Sequence, residues 1–259
     1  MVNRQIDAMA ELQNAFSVLF KNWVLAVPTA LVSAIAAILA FFVLAASLAP
    51  LIAGGMMPDT SDPTAALAMF RTALPAFSLF FIIVVLLGLV AQAVVIGGAE
   101  HVWHGQAPDL SGGLSKAMGK LLTLIGLFIV AIVIGSICGL LTIALFLGPI
   151  IGLVLLFFFM YALPAIVIGN EGVFGALGSS WRLVSKHVAP SLIAFVGIVV
   201  INIIGGIVEL LFSHIPVLNI VVNLVVGGLV AAYAALVVVR FYDLLRGAAT
   251  PAVVSGTPL

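Results

Sequence analysis

Six long apolar segments, separated by short loops that carry nearly every positive charge, constrain this chain more than any other feature. They run near residues 24–49, 75–98, 121–146, 150–168, 189–212 and 220–244. A helix needs about 20 mostly apolar residues to cross a hydrocarbon core about 30 Å thick, at about 1.5 Å per residue. The segments reach that length. Runs such as 80–90 and 150–160 are apolar on every side, unlike the alternating strands of a barrel. Of all residues 64% are hydrophobic and 7% charged, and mean hydropathy is +1.40. A soluble domain carries about 25% charged residues, so lipid must be the solvent. The expected fold is an all-α polytopic membrane bundle of six transmembrane helices in three hairpins, with interfacial amphipathic helices on the cytoplasmic side. The expected units are an N-terminal interfacial helix (1–22), a membrane domain (23–246) and a flexible tail (247–259).

Several classes of function find no support in the residues. Cys138 is the single cysteine and lies inside the third segment, so a disulfide framework is not expected. Formal net charge is zero, which leaves no electrostatic footprint for nucleic acid. Asp7 and Glu11 precede an apolar run too long for a cleavable leader, so none is expected. The longest extramembrane stretch is the loop 50–74, too short for a soluble catalytic domain. His101 and His104 beside Glu100 lack a third or fourth metal ligand nearby in a Gly- and Pro-containing loop. Asp59 and Asp62 read as a solvated turn. Gly54, Gly55, Gly112 and Gly113 read as loop turns rather than a phosphate cradle. No cofactor and no enzymatic activity are expected.

Orientation follows Lys and Arg in short loops. One side carries Arg4, Lys21, Lys116, Lys120, Arg182, Lys186, Arg240 and Arg246; the other carries only Arg71. Both termini are therefore expected in the cytoplasm. Trp23, Trp103 and Trp181 fall on the same side, where amphipathic rings favour the headgroup layer.

A pattern occurs three times: an amphipathic helix followed by a hairpin. In the first copy Ile6, Met9, Phe16 and Phe20 share a face opposite Asn3, Asp7, Asn14 and Lys21. In the second, Leu110, Leu114, Met118 and Leu121 oppose Ser111, Ser115 and Lys120. In the third, Phe174, Leu177, Trp181, Val184 and Val188 oppose Ser179, Arg182 and Lys186. Such helices either lie in the inner headgroup layer, with Lys21, Lys120, Arg182 and Lys186 near anionic lipid, or serve as simple connectors.

Polar groups within spans are functional candidates because they are costly there. Glu209, His214, Asn219 and Asn223 are expected as one polar cluster near the outer interface. That cluster reads as a clasp closing the last hairpin or as an ion or substrate site. Gln92 is expected at a different depth, nearer the inner leaflet, with Asn202 between and alone. Small-residue faces (Gly88, Ala91 and Ala99; Gly205; Gly227 and Ala231) favour close helix packing. Pro164 should kink the fourth span.

The segment from His101 to Arg182 carries three matching features: the loop starting His104-Gly-Gln-Ala-Pro-Asp-Leu-Ser, the Leu147-Gly-Pro-Ile-Ile hairpin, and the run from Leu163-Pro-Ala-Ile-Val through Ser179-Ser-Trp-Arg-Leu. With the exit Arg240-Phe-Tyr-Asp-Leu-Leu-Arg, these resemble a bacterial family of six-helix membrane proteins related to the membrane domain of glycerophosphoryl diester phosphodiesterases. Gln106 and Ser179 stand where that family tends to carry basic residues. The resemblance implies topology; the phosphodiesterase activity belongs to a separate barrel. Two functional readings follow. The first is a non-enzymatic scaffold or accessory subunit that binds partner membrane proteins, a second copy of itself, or lipids. The alternative is a small transporter or channel for a lipid-like or apolar solute, which would need a cavity lined by Gln92, Asn202 and Glu209.

Overall fold

The computed structural model describes residues 7–53, 63–145 and 147–249. Every regular element among them is helical: α1 (Ala8–Lys21), a 3-10 turn (Trp23–Ala26), α2 (Val27–Ala53), α3 (Pro63–Trp103), α4 (Leu110–Gly119), α5 (Leu121–Leu145), α6 (Gly148–Phe159), α7 (Ala162–Val167), α8 (Val173–Lys186), α9 (Val188–Phe212) and α10 (Pro216–Ala249). Six stretches are long and apolar enough to cross a membrane: Trp23–Ala46, Leu74–Trp103, Leu121–Ile143, Gly148–Val167, Val188–Phe212 and Leu218–Gly247. The chain is a multi-pass, all-α membrane protein whose spans pair as α2/α3, α5/α6–α7 and α9/α10. Its last helix is the hub, packing against α1, α2, α3 and α9.

The boundaries differ from the sequence reading in three places. Helix α3 starts at Pro63, inside the stretch expected as loop 50–74, and continues to Trp103. His101 therefore lies on a helix. Gly112 and Gly113, expected at a turn, sit within α4. The fourth span is broken outright: α6 stops at Phe159 and α7 resumes at Ala162. Pro164 has no N–H for the carbonyl of Met160, four residues back, so the ladder fails there. Asp59, Asp62, Gly54, Gly55 and the stretch 250–259 of the expected tail lie outside the described residues.

The threefold pattern has a structural counterpart. Each amphipathic helix meets its span at one elbow residue: Asn22, Lys120 and His187, with φ between −109° and −131° and ψ between 11° and 51°. Every elbow N–H donates back to two carbonyls of the preceding turn, Leu19 and Val18, Ala117 and Lys116, Leu183 and Val184. The inward face of these helices mixes small residues with a few bulky ones. Buried positions are Ala8, Leu12, Ala15 and Leu19 on α1, Gly113 and Ala117 on α4, and Ala176, Ser180 and Val184 on α8. The bulky stripe points outward, with Met9 62%, Met118 53% and Phe174 80% exposed. Large apolar groups turned away from a protein core are stable where the surroundings are acyl chains.

The end that carries α1, α4, α8 and the end of α10 is termed basal, and the opposite end distal. At the basal end α4 lies backbone to backbone on α3: a Cβ at Gly97 would come within 2.8 Å of the Gly113 Cα. Lys116 reaches Glu100 at 2.6 Å over that contact. Helix α1 docks on α10, where Tyr233 Oη donates to the Leu12 carbonyl (3.2 Å) and Arg240 pairs with both oxygens of Glu11 (2.8 and 3.0 Å). The Arg240 guanidinium also stands 4.9 Å over the Trp103 ring, whose Nε1 donates to the Leu236 carbonyl. Trp103 thus takes part in packing at this end of the bundle. Toward the distal end burial gives out. Helix α2, α3 before Ala91, α5 beyond Phe128 and α6 after Gly148 hold no buried residue among those described.

Candidate functional site

Where packing loosens, two cavities adjoin. One, about 290 Å³, lies between α3, α9 and α10 and is lined by Gln92, Asn202, Gly205, Gly206, Glu209 and Gly227 among others. The second, about 510 Å³, lies between α2, α3 and α10, with Val32, Ala36, Val84, Val85, Gly88 and Leu89 on its walls. Both are on the scale of ligand sites, about 300–1,000 Å³. Gln92, Gly227 and Ala231 belong to both, so the two cavities meet at these three residues.

Glycine and alanine make this space. Gly205 packs so closely on α9's neighbour that a Cβ would fall 2.8 Å from Val230 Cγ2, and one at Gly228 would fall 3.0 Å from the Ala26 carbonyl. Those contacts set α10 close to both α9 and α2. Gly88 and Gly206, by contrast, face open space. The same residue type therefore closes the helix crossings and leaves the gaps beside them.

The expected cluster of Glu209, His214, Asn219 and Asn223 is not assembled. No hydrogen bond or ion pair joins any two of them among the described residues. His214 is exposed and shares a hydrogen bond with Ser213 (3.2 Å). Asn223 is exposed, one turn distal of Gly227, and Asn219 sits at the start of α10. Glu209 instead shares a cavity with Gln92 and Asn202, residues expected at other depths. Two physical facts account for the difference. Helical side chains lean toward the N-terminus, so Glu209, near the end of α9, folds its carboxylate back into the bundle, with Oε1 at 3.8 Å from a Cβ position on Gly227. Gly227 is about 13 Å along α10 from the start of its apolar stretch at Leu218, close to mid-depth. Second, α3 continues to Trp103, which places Gln92 nearer the middle than an end at residue 98 would.

Within the recess Asn202 Nδ2 donates to the Ile198 carbonyl (2.8 Å), leaving its Oδ1 as an acceptor. Glu209 is half-buried and has no hydrogen bond or ion pair among the described residues. The candidate headgroup cations are elsewhere, on the basal helices. Lys21, Arg182 and Lys186 are exposed and Lys120 is half-buried, and none has an ion-pair partner among the described residues. Arg182 Nε donates to the Gly178 carbonyl.

A second polar site went unrecognised in the sequence. Ser180 Oγ, fully buried on α8, donates to the Phe158 carbonyl (2.8 Å) and accepts from the Tyr161 N–H (3.1 Å). It thereby satisfies backbone groups freed by the break between α6 and α7, which lipid cannot do. Tyr161 Oη bonds Ser191 Oγ at 3.3 Å, tying the break to α9. Ser179, next to it, donates to Glu171. The available signal was a serine on an amphipathic helix, sixteen residues after the proline of a broken span. Asp109 caps α4: the Gly112 N–H and Ser111 hydroxyl hold its carboxyl below the usual carboxylate range. The His101 and His104 rings bond the Gly97 and Glu100 carbonyls, and no group of three or more metal-ligating side chains occurs among the described residues.

Fold and cavities together define a polytopic helical membrane protein with a mid-depth polar recess. Comparison with family models, curated proteins and solved structures finds no match in any of the three.

Proposed function

We propose that this protein is a small carrier for a lipid-like solute, with its binding site in the paired cavities between α2, α3, α9 and α10. The observation that carries this reading is that Gln92, Asn202 and Glu209 line one mid-depth cavity that adjoins an apolar groove. A carboxylate in a span is costly, about 2.5–3.5 kcal/mol on insertion scales, and is usually retained for a ligand or ion path. The dense basal end and the loose distal end support a site whose basal side is closed in this conformation.

In the same reading the protein resides in a bacterial inner membrane with both termini in the cytoplasm, consistent with Lys21, Lys116, Lys120, Arg182, Lys186, Arg240 and Arg246 at the basal end and Arg71 alone, among the described Lys and Arg, at the other. Lys21, Lys120, Arg182 and Lys186 then meet anionic headgroups, while the outward stripes of α1, α4 and α8 sit among acyl chains. The resemblance to the six-helix family agrees with this topology. The scaffold reading keeps one observation in its favour: the α5/α6 hairpin buries little against the rest of the bundle and offers its sides to a partner membrane protein.

Flux of a fluorescent lipid-like amphiphile in proteoliposomes tests the carrier reading. Transport by the native chain that falls when Gly88→Leu fills the groove supports it. Equal leak in protein-free vesicles, with the protein correctly folded, overturns it. Single cysteines replacing Ser179 and His214 should label from opposite sides; labelling from one side refutes the topology.

A further inference from the structure

Resting on the carrier reading, we infer that the solute is an amphiphile with a single primary ammonium head, a long-chain amine, whose head meets Glu209, Asn202 and Gln92 while its chain lies in the groove between α2 and α3.

The charge of the head follows from what lines the recess. Glu209 brings a carboxylate, and no Lys, Arg or His is among the lining residues of either cavity. Lys116 and Arg240 are committed to Glu100 and Glu11 at the basal end. Lys21, Lys120, Arg182 and Lys186 stand on the basal helices, and Arg71 on the distal part of α3. An anionic head would have no counter-charge here and would lie against a carboxylate, and a zwitterionic head would leave its phosphate without one. A cation is the complementary partner.

The type of cation follows from hydrogen bonding. Asn202 has spent an N–H on the Ile198 carbonyl and offers its Oδ1. Glu209 offers two carboxylate oxygens, and Gln92 has a carbonyl oxygen. Three acceptor side chains meet the three donors of a primary ammonium, whereas a quaternary head has none to give. The chain follows from the neighbouring groove. Its walls are mainly Val, Ala, Leu and Gly, and it adjoins the recess at Gln92, Gly227 and Ala231. A head in the recess and a chain passing over the small side chains of Gly227 and Ala231 into the groove would occupy both volumes.

The experiment uses the full chain in a neutral maltoside detergent and a dodecylamine carrying a diazirine at the chain end. Photolabelling with peptide mapping should mark residues 32–36 and 84–89. Glu209→Gln should weaken labelling by roughly tenfold or more, the loss of a charge-assisted hydrogen bond in a low-dielectric site. Gly88→Leu, whose side chain enters open space, should weaken the dodecyl probe and spare butylamine competition. A dodecyl trimethylammonium probe should bind less well than the primary amine. The native chain alone keeps the test decisive if Glu209→Gln does not fold. Equal binding of a chain-matched alcohol or alkyl sulfate overturns the ammonium assignment while the carrier reading stands. Equal binding by folded Glu209→Gln also overturns it. Failure of every amphiphile to bind, whatever its head, overturns both.

Discussion

The basal and distal halves of this molecule use similar residues to opposite ends. At the basal end glycine and alanine bring backbones into contact and ion pairs lock the crossings, as between α4 and α3 or α1 and α10. In the distal half the same small residues stand beside open space, at Gly88 and Gly206, and the helices part. Lipid supplies no hydrophobic drive between helices, so close packing and hydrogen bonds must hold them. A membrane bundle can therefore concentrate its stability in one half and leave the other free to enclose a solute.

That contrast is breakable by substitution. The largest effect is expected at the α3–α4 contact: Gly113→Leu forces a side chain into the Val94 carbonyl and should cost about 3 kcal/mol or more. Detergent thermal unfolding reads it, and an unchanged midpoint would contradict the close approach. Next comes Ser180→Ala, which orphans the Tyr161 N–H and Phe158 carbonyl and should cost about 1–3 kcal/mol. Threonine at 180 should recover part of that loss if the hydroxyl is what matters. Removing the half-buried pair with Glu11→Gln should cost about 1–2 kcal/mol and increase proteolysis within α1 relative to α8; equal cleavage of both would argue against docking.

In the distal half the same measurement should move little. Glu209→Gln should shift stability by less than about 0.5 kcal/mol, because the carboxylate has no protein partner to lose. A large destabilisation would make Glu209 a structural residue and erase the distinction between the halves. The smallest effect concerns Asp109. Its folded-state pKa lies below the ordinary 3.8, so its contribution is complete above that value and is lost as pH falls through the folded-state pKa. Stability should be flat in this respect down to about pH 4, and Asp109→Asn should keep the cap while removing the acid dependence.

Much of the architecture was legible in the chain. Span length and apolarity gave the six crossings, and stripes ending near Lys21, Lys120 and Lys186 marked the three interfacial helices. Which residues of those helices pack inward, Leu12, Ala117 and Ser180 among them, was not legible, because their packing partners lie on elements distant in the chain. The site was half legible. Gln92, Asn202 and Glu209 stood out as polar residues in spans, but counting residues along an axis ignored the direction of side chains, which lets the Glu209 carboxylate reach back toward Gly227. Ser180 escaped because its partner is a backbone defect that only the broken span reveals.

One consequence of the seat of α1 concerns biosynthesis. Leu12 and Glu11 bond Tyr233 and Arg240, partners 221 and 229 positions away. Helix α1 therefore cannot take its seat until α10, more than two hundred residues later, has been made and inserted. Closure of the basal end is thereby tied to the arrival of α10, whatever the order in which the intervening spans settle.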